Sequence, residues 1–363
     1  MTEFIRTAIK GRTGFITLDR PKALNSLSLD MVRALTACLL AWRDEPKLAA
    51  VVIHSSSEKA FCAGGDIRFF YEAGRSTPLD GSALLEDFFT EEYALNHLIR
   101  YYPKPYIAVM DGIVMGGGMG IAQGNPANCL RIVTERTKMA MPEVNIGLFP
   151  DVGGSYFLSR APGQIGAYLG VTGEIIAAAD ALHAGLADVF LPSAQLPALM
   201  DLLASDGAAD LHKAALDFSA SFQSQADPAN SVLAANRSLI DSCFDHDSVQ
   251  SIIDALRHSD SSFAQKTLAT MSKRSPLMMC VTLSQIRRGA GMTVAECLRM
   301  ERNLVRRVFE HGEVLEGVRS VVIDKDNAPQ WNPATLNEVS PQMVERFFEP
   351  AWPAYAHPLR DLS

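Results

Sequence analysis

The sequence predicts an α/β fold: a core of parallel strands followed by a largely helical C-terminal region. Three observations predict it. Short apolar runs alternate with helical periodicity through the first half of the chain, as repeated strand–helix–strand units require. Two glycine-rich segments follow apolar runs in that half, and from about residue 155 the patterning becomes mostly helical. The composition is that of a globular chain: 363 residues, 48% hydrophobic and 20% charged, with 25 Gly and 19 Pro. It leaves ample apolar material for a sizeable core and excludes a disordered, collagen-like or coiled-coil chain.

Phe15-Ile16-Thr17-Leu18 reads as a short strand ended by the turn signal Asp19-Arg20-Pro21. Ser28 is placed to cap a helix, with Asp30 in the first turn, where the helix dipole favours an anion. Met31, Leu35, Cys38, Leu39 and Trp42 then recur at helical spacing, and Asp44-Glu45-Pro46 stops the helix. Ala49–His54 and Ile107–Met115 read as two further strands. Helices are predicted over 174–190 and 193–203. The stretch 205–275, rich in Ser, Ala and Asp, is weakly patterned, and 276–320 is strongly helical. A boundary near 200 divides a core that carries the active site, 1–200, from a mostly helical region, 201–363.

Charge and cysteine usage narrow the function classes. The net charge is −8, and the densest basic groups are the pairs Lys273-Arg274, Arg287-Arg288 and Arg306-Arg307. A nucleic-acid partner is therefore not expected, since such proteins show a basic domain or stripe. An anionic small ligand remains compatible, because backbone dipoles can hold it. The six cysteines, at 38, 62, 129, 243, 280 and 297, form no C-x-x-C pair and no zinc-spaced set with histidine. No metal is expected, and a reduced, cytosolic location is the simplest reading. The start, MTEFIRTAIKGRTGF, has no apolar signal core. The uncharged stretch Gly112 to Leu130 holds six glycines and Pro126, which suit loops rather than a bilayer helix.

Three segments could carry chemistry: Phe61-Cys62-Ala63-Gly64-Gly65-Asp66, Met115-Gly116-Gly117-Gly118-Met119-Gly120, and the run from Pro142 to Gly154. Neither glycine segment is a nucleotide loop. No Gly-Lys-Ser/Thr follows them, and the dinucleotide pattern begun at Gly116 and Gly118 meets Ile121 where it needs glycine. The other use of such glycines is backbone donation. Peptide N–H groups at two strand ends can converge on one oxygen and hold an oxyanion, one donor being worth roughly 3–4 kcal/mol in the transition state. The third segment supplies two carboxylates, Glu143 and Asp151, eight residues apart in apolar sequence, with Gly147, Phe149 and Pro150 to turn the chain between them. A carboxylate in an apolar pocket has a raised pKa and can move protons, or attack an acyl carbon.

These runs carry a family resemblance. AFCAGGDI (60–67) and GIVMGGGMG (112–120) resemble the two oxyanion-hole motifs of the crotonase, or enoyl-CoA hydratase/isomerase, superfamily. MPEVNIGLFPDVGGSYFLSR (141–160), FFTEEYALNHLI (88–99) and EGVRSVVIDKDNAPQWNP (316–333) resemble its 3-hydroxyisobutyryl-CoA hydrolase subfamily, so the similarity spans nearly the whole chain. The resemblance implies a crotonase-type spiral of ββα units, usually assembled as trimers or dimers of trimers, hence a homo-oligomer. It also implies an acyl-CoA substrate, no separate cofactor and a place in valine breakdown. By position, the thioester carbonyl oxygen would lie between the amides of Gly65 and Gly117. Glu143 would attack the carbonyl or activate a water. Asp151 would bind a 3-hydroxyl or relay protons. Glu92, Ala63 and Gly116 would contact substrate. Hydratases of the superfamily use two glutamates, and the first of those positions is Gly120 here. That departure favours thioester hydrolysis over the alternative, an enoyl-CoA hydratase or isomerase on the same scaffold.

The remaining polar residues have plainer readings. Cys62 is expected as a small buried residue, Asp66 as a helix cap and Asp111 as a hydrogen-bonded structural carboxylate. His97 and His183 are expected to be ordinary helix residues, and Glu316, Arg319, Asp324, Lys325 and Asp326 an ion-pair network.

Overall fold

The computed structural model describes residues 2–76, 82–205 and 207–363. Among these, nine strands lie in the first 190 positions: β1 (Ile5–Lys10), β2 (Thr13–Leu18), β3 (Ala50–Ser55), β4 (Ala60–Cys62), β5 (Tyr106–Met110), β6 (Ile113–Met115), β7 (Cys129–Val133), β8 (Lys138–Ala140) and β9 (Val189–Phe190). They form a six-stranded sheet, β1-β2-β3-β5-β7-β9, and a three-stranded sheet, β4-β6-β8. Only β1 and β2 pair antiparallel; every other named pair is parallel. The order is a repeated ββα: β1-β2, β3-β4, β5-β6 and β7-β8 are each followed by a helix, at Leu29–Arg43, Ile67–Ser76, Gly117–Gly120 and Gly154–Leu158. From the second repeat on, the first strand joins the larger sheet and the second strand the smaller one.

The chain divides into two compact units, each built from three stretches. One comprises Met1–Gly65, Leu95–Ala140 and Ile175–Ala235; the other comprises Asp66–Ala94, Met141–Glu174 and Asn236–Ser363. Both sheets belong to the first unit. Its core stacks alternate residues of the parallel strands, among them Phe15, Val52, Ile107, Val109 and Ile132, against Leu199 and Leu203 of the helix Leu196–Ala204. Strands buried on both faces read as continuous apolar runs, which is why β3 and β5 stand out in the sequence.

The second unit is helical. Phe70, Phe88, Phe89 and Phe309 pack edge-on or tilted, with Phe70 centred 4.9 Å from both Phe88 and Phe89. Arg302, fully buried on the helix Val294–His311, donates to Thr90 Oγ1 at 3.0 Å, pairs with Glu86 and faces the Trp352 ring. Those contacts fix the helix Ala83–Arg100, which carries Glu92.

Ser28 caps the helix Leu29–Arg43 as its sequence suggests, accepting from the Met31 amide at 3.3 Å. Two spans differ from expectation. The run 107–115 is two strands, because Asp111-Gly112 breaks it: Gly112 has φ 84, and a Cβ there would crowd the Lys59 backbone. The span 174–190 holds only the short helix Ala178–His183 before Gly185 at φ 70 turns the chain into β9. Its alanine-rich periodicity concealed a strand of two residues.

Candidate active site

The glycine segments leave neighbouring parallel strands of the small sheet, with Ala60 opposite Ile113 and Cys62 opposite Val114. They touch directly. A Cβ on Gly64, which has φ 99, would sit 3.1 Å from the Met115 carbonyl oxygen and 3.5 Å from the Gly117 nitrogen. A Cβ on Gly118 would overlap the Cys62 carbonyl oxygen. Glycine is thus required here for close backbone approach. Leu27 N pins the first segment by donating to the Gly64 carbonyl at 2.8 Å. The Ala63 amide is committed to the Leu24 carbonyl and the Gly116 amide to the Ala140 carbonyl. Among the described residues, the Gly65 and Gly117 amides donate to no protein group. Both donors that the resemblance names are therefore uncommitted.

The carboxylates lie in the other unit. Glu143 opens the turn Glu143–Ile146, which Gly147 (φ 70) closes against the Glu313 backbone. Arg274 holds that turn through Asn145 Oδ1 (2.5 Å) and the Thr172 carbonyl (2.7 Å), and the Ser275 amide donates to the Val144 carbonyl at 3.3 Å. Asp151 lies beyond, where Tyr93 Oη donates to its Oδ2 at 2.7 Å. Glu92, Glu143 and Asp151 are buried, at 2%, 6% and 5% exposure. Among the described residues, Glu143 Oε2 and Glu92 Oε1 have no hydrogen-bond partner.

Burial dominates the acid–base behaviour of this cluster. It pushes Glu143 and Glu92 well above the usual carboxylate range, and the charge of Asp151 pushes both further. Burial lifts Asp151 to about 6, against the opposing Tyr93 hydroxyl. A fourth buried carboxylate, Glu301, accepts from Gly153 N at 2.7 Å, Ser155 N at 2.8 Å and Ser155 Oγ at 2.6 Å. Burial pushes it up to about 8 although all three donors favour the anion. Such an array of desolvated carboxylates is costly to fold.

Tyr93 and Glu301 were not singled out in the sequence. Tyr93 was accessible there, since it adjoins Glu92 in FFTEEY. Glu301 was not, because an acid in a helix flanked by Met300 and Arg302 reads as a solvated face. Other expectations hold. Asp111 accepts from Thr134 Oγ1 (2.5 Å) and Arg136 Nε (2.9 Å), Cys62 is buried, and Arg319 pairs with Glu316, Asp324 and Asp326.

Residues 13–348 match the family model described as enoyl-CoA hydratase/isomerase. The chain belongs to that family. Its fold is accordingly the crotonase fold. A Xenopus tropicalis protein named 3-hydroxyisobutyryl-CoA hydrolase, mitochondrial, is 42% identical over 93% of this chain and 86% of its own length. The human protein of the same name is 40% identical over 94% and 87%. Two solved structures cover nearly all of both chains. A carnitinyl-CoA dehydratase from Mycobacterium thermoresistibile is 39% identical, with a TM-score of 0.88 over 97% of this chain and 98% of its own. An enoyl-CoA hydratase from Rhodobacter sphaeroides 2.4.1 is 35% identical, with a TM-score of 0.85 over 96% and 98%. The mitochondrial relatives overturn the cytosolic expectation drawn from the cysteines. All six are free thiols, and free thiols report a reducing environment without specifying the compartment. Among the described residues, no helix is long and apolar enough to cross a membrane.

Proposed function

We propose that this family member hydrolyses the thioester of 3-hydroxyisobutyryl-CoA, or of a close 3-hydroxyacyl analogue, to the free acid and coenzyme A. The observation that carries the reading is Glu143: a buried carboxylate, one oxygen unpartnered among the described residues, in a family whose substrates are acyl-CoA esters. The names of the relatives at about 40% identity support the substrate.

In this reading the Gly65 and Gly117 amides form the oxyanion hole. Their availability supports that role, since a donor already bound to a carbonyl contributes nothing to a developing charge. Glu143 attacks the thioester carbonyl carbon, or takes a proton from the water that attacks it. The C–O bond forms, the carbonyl oxygen becomes the oxyanion, and the C–S bond breaks as its electrons return. The thiolate leaves and is protonated as coenzyme A thiol. On the first route, water then hydrolyses the acyl–Glu143 anhydride. Asp151, lifted only to about 6, is ionised at neutral pH. With Tyr93 on Oδ2, its other oxygen accepts the substrate's 3-hydroxyl. Glu92 lines the acyl pocket, and Ala63 and Gly116 contact substrate beside the two donors. Such a product is an intermediate of valine breakdown, and a homo-oligomer is the expected assembly.

Hydration of an enoyl thioester is the competing reading, because the two solved relatives are titled a dehydratase and a hydratase. Gly120, which stands where hydratases hold the first of two glutamates, counts against it. The test is thiol release from 3-hydroxyisobutyryl-CoA beside crotonyl-CoA consumption. Stoichiometric thiol with no loss of the enoyl substrate is expected. Enoyl conversion without thiol overturns the proposal.

A further inference from the structure

The helix Val294–His311 carries a carboxylate that the proposed chemistry does not use. Glu301 is fully buried, and its three donors all come from the segment just after Asp151: Gly153 N on Oε2, and Ser155 N and Oγ on Oε1. Gln285, from the helix Pro276–Gly289, donates to Ser155 Oγ at 2.9 Å and to the Pro150 carbonyl. Side chains of these two helices thus grip the chain immediately before and after Asp151. Between the grips, Val152 sits at φ 53. A β-branched residue in the left-handed region is a backbone outlier, which persists only where its surroundings over-determine it.

We infer that Glu301 is a positioning residue, which holds the 150–155 loop so that Asp151 meets Tyr93 and the 3-hydroxyl of the substrate. The substrate half of this inference rests on the thioesterase reading; the Tyr93 half does not. The geometry also selects the residue type. Both carboxylate oxygens accept, and Oε1 accepts twice. Glutamine has one acceptor oxygen, and its amide NH2 would face a backbone N–H. One of the two grips on the loop is then lost, although the side chain keeps its size.

The test is a double-mutant cycle with Glu301→Gln and Asp151→Asn, read as the preference for 3-hydroxyisobutyryl-CoA over isobutyryl-CoA in kcat/KM. Displacing a loop by about an ångström costs on the order of 10–100-fold. Glu301→Gln is expected to lose that much on the hydroxyacyl ester and clearly less on the plain one. Because it acts through Asp151, the double variant should discriminate no worse than Asp151→Asn alone. Equal losses on the two esters, or losses that multiply in the double variant, overturn the inference. A crystal structure of Glu301→Gln supplies a readout independent of turnover. A broken Tyr93–Asp151 contact supports the role, and an intact one at 2.7 Å overturns it. If that variant does not fold, Gln285→Met loosens the Pro150 side of the loop and is read the same way. Absence of thiol release by the wild-type protein would sink the thioesterase reading alone, and the variant's crystal structure would still decide the positioning.

Discussion

Asp151→Asn should yield a protein that is more stable and less active, and both magnitudes follow from its surroundings. Asp151 is 5% exposed, and burial raises its pKa from 3.8 to about 6. A tenfold change in acidity corresponds to about 1.4 kcal/mol, so this elevation disfavours folding by about 3 kcal/mol once it is fully expressed. The sign follows from where the proton sits. Below 3.8 the carboxyl is protonated in folded and unfolded chains alike, and the cost vanishes. Between 3.8 and about 6 the unfolded chain ionises while the folded chain keeps its proton, so the cost grows; above 6 it is complete. Asparagine is neutral throughout and still offers Oδ1 to the Tyr93 hydroxyl, which preserves a bond worth about 1 kcal/mol. Urea unfolding near neutral pH should therefore show a gain of about 2–3 kcal/mol that fades as pH falls from about 6 and is gone below 3.8. The same variant should lose more turnover on 3-hydroxyisobutyryl-CoA than on isobutyryl-CoA. A stability loss at neutral pH, or a gain that survives in acid, would refute the desolvation reasoning. Equal losses on the two esters would remove the hydroxyl-binding role.

Glu143→Gln keeps the side-chain volume and removes the reactive carboxylate, so thiol release should fall by at least about 10²–10⁴-fold with acyl-CoA binding largely intact by calorimetry; full turnover would rule out its role. Gly118→Ala forces a Cβ onto the Cys62 carbonyl oxygen. Overpacking of that kind costs about 1–3 kcal/mol of stability. By displacing the adjacent Gly117 amide it should also lower turnover roughly 10²–10³-fold, and wild-type kcat in this variant would show that the amide is not used. The acid limb of kcat/KM should lie above the ordinary carboxylate range, because burial raises both Glu143 and Asp151 and both must be ionised, with activity rising as pH rises; a limb near 4, the ordinary carboxylate range, would contradict the burial argument.

The parts of this molecule that were legible in the sequence are those whose physics is local. β2, β3 and β5 announce themselves because strands of a parallel sheet, buried on both faces, must be apolar throughout. Ser28 is readable because a cap needs only the amide three residues on. The glycines at 64 and 118 are readable because close backbone approach leaves no alternative residue, and Gly116 because its φ is 48, although which amides stay free depends on partners as distant as Leu24 and Ala140. What escaped notice depends on partners far along the chain. The 107–115 run breaks at Gly112 because the Lys59 backbone passes there.

Glu301 makes the same point at the site itself. Nothing in the amphipathic pattern of its helix separates it from a solvated acid, yet it is fully buried and its donors lie 146 and 148 residues away. A buried carboxyl group that accepts three protein hydrogen bonds is not placed by the local code; it is selected by the loop it must hold. The conformation at Val152, unfavourable on its own, is retained because removing the Glu301 grip would leave the buried Gly153 and Ser155 N–H groups unsatisfied, and removing the Gln285 grip the Pro150 carbonyl. The helical C-terminal region, which supplies Gln285 and Glu301, is therefore part of the apparatus that places Asp151, and variants in those two helices should be read for selectivity as well as for stability.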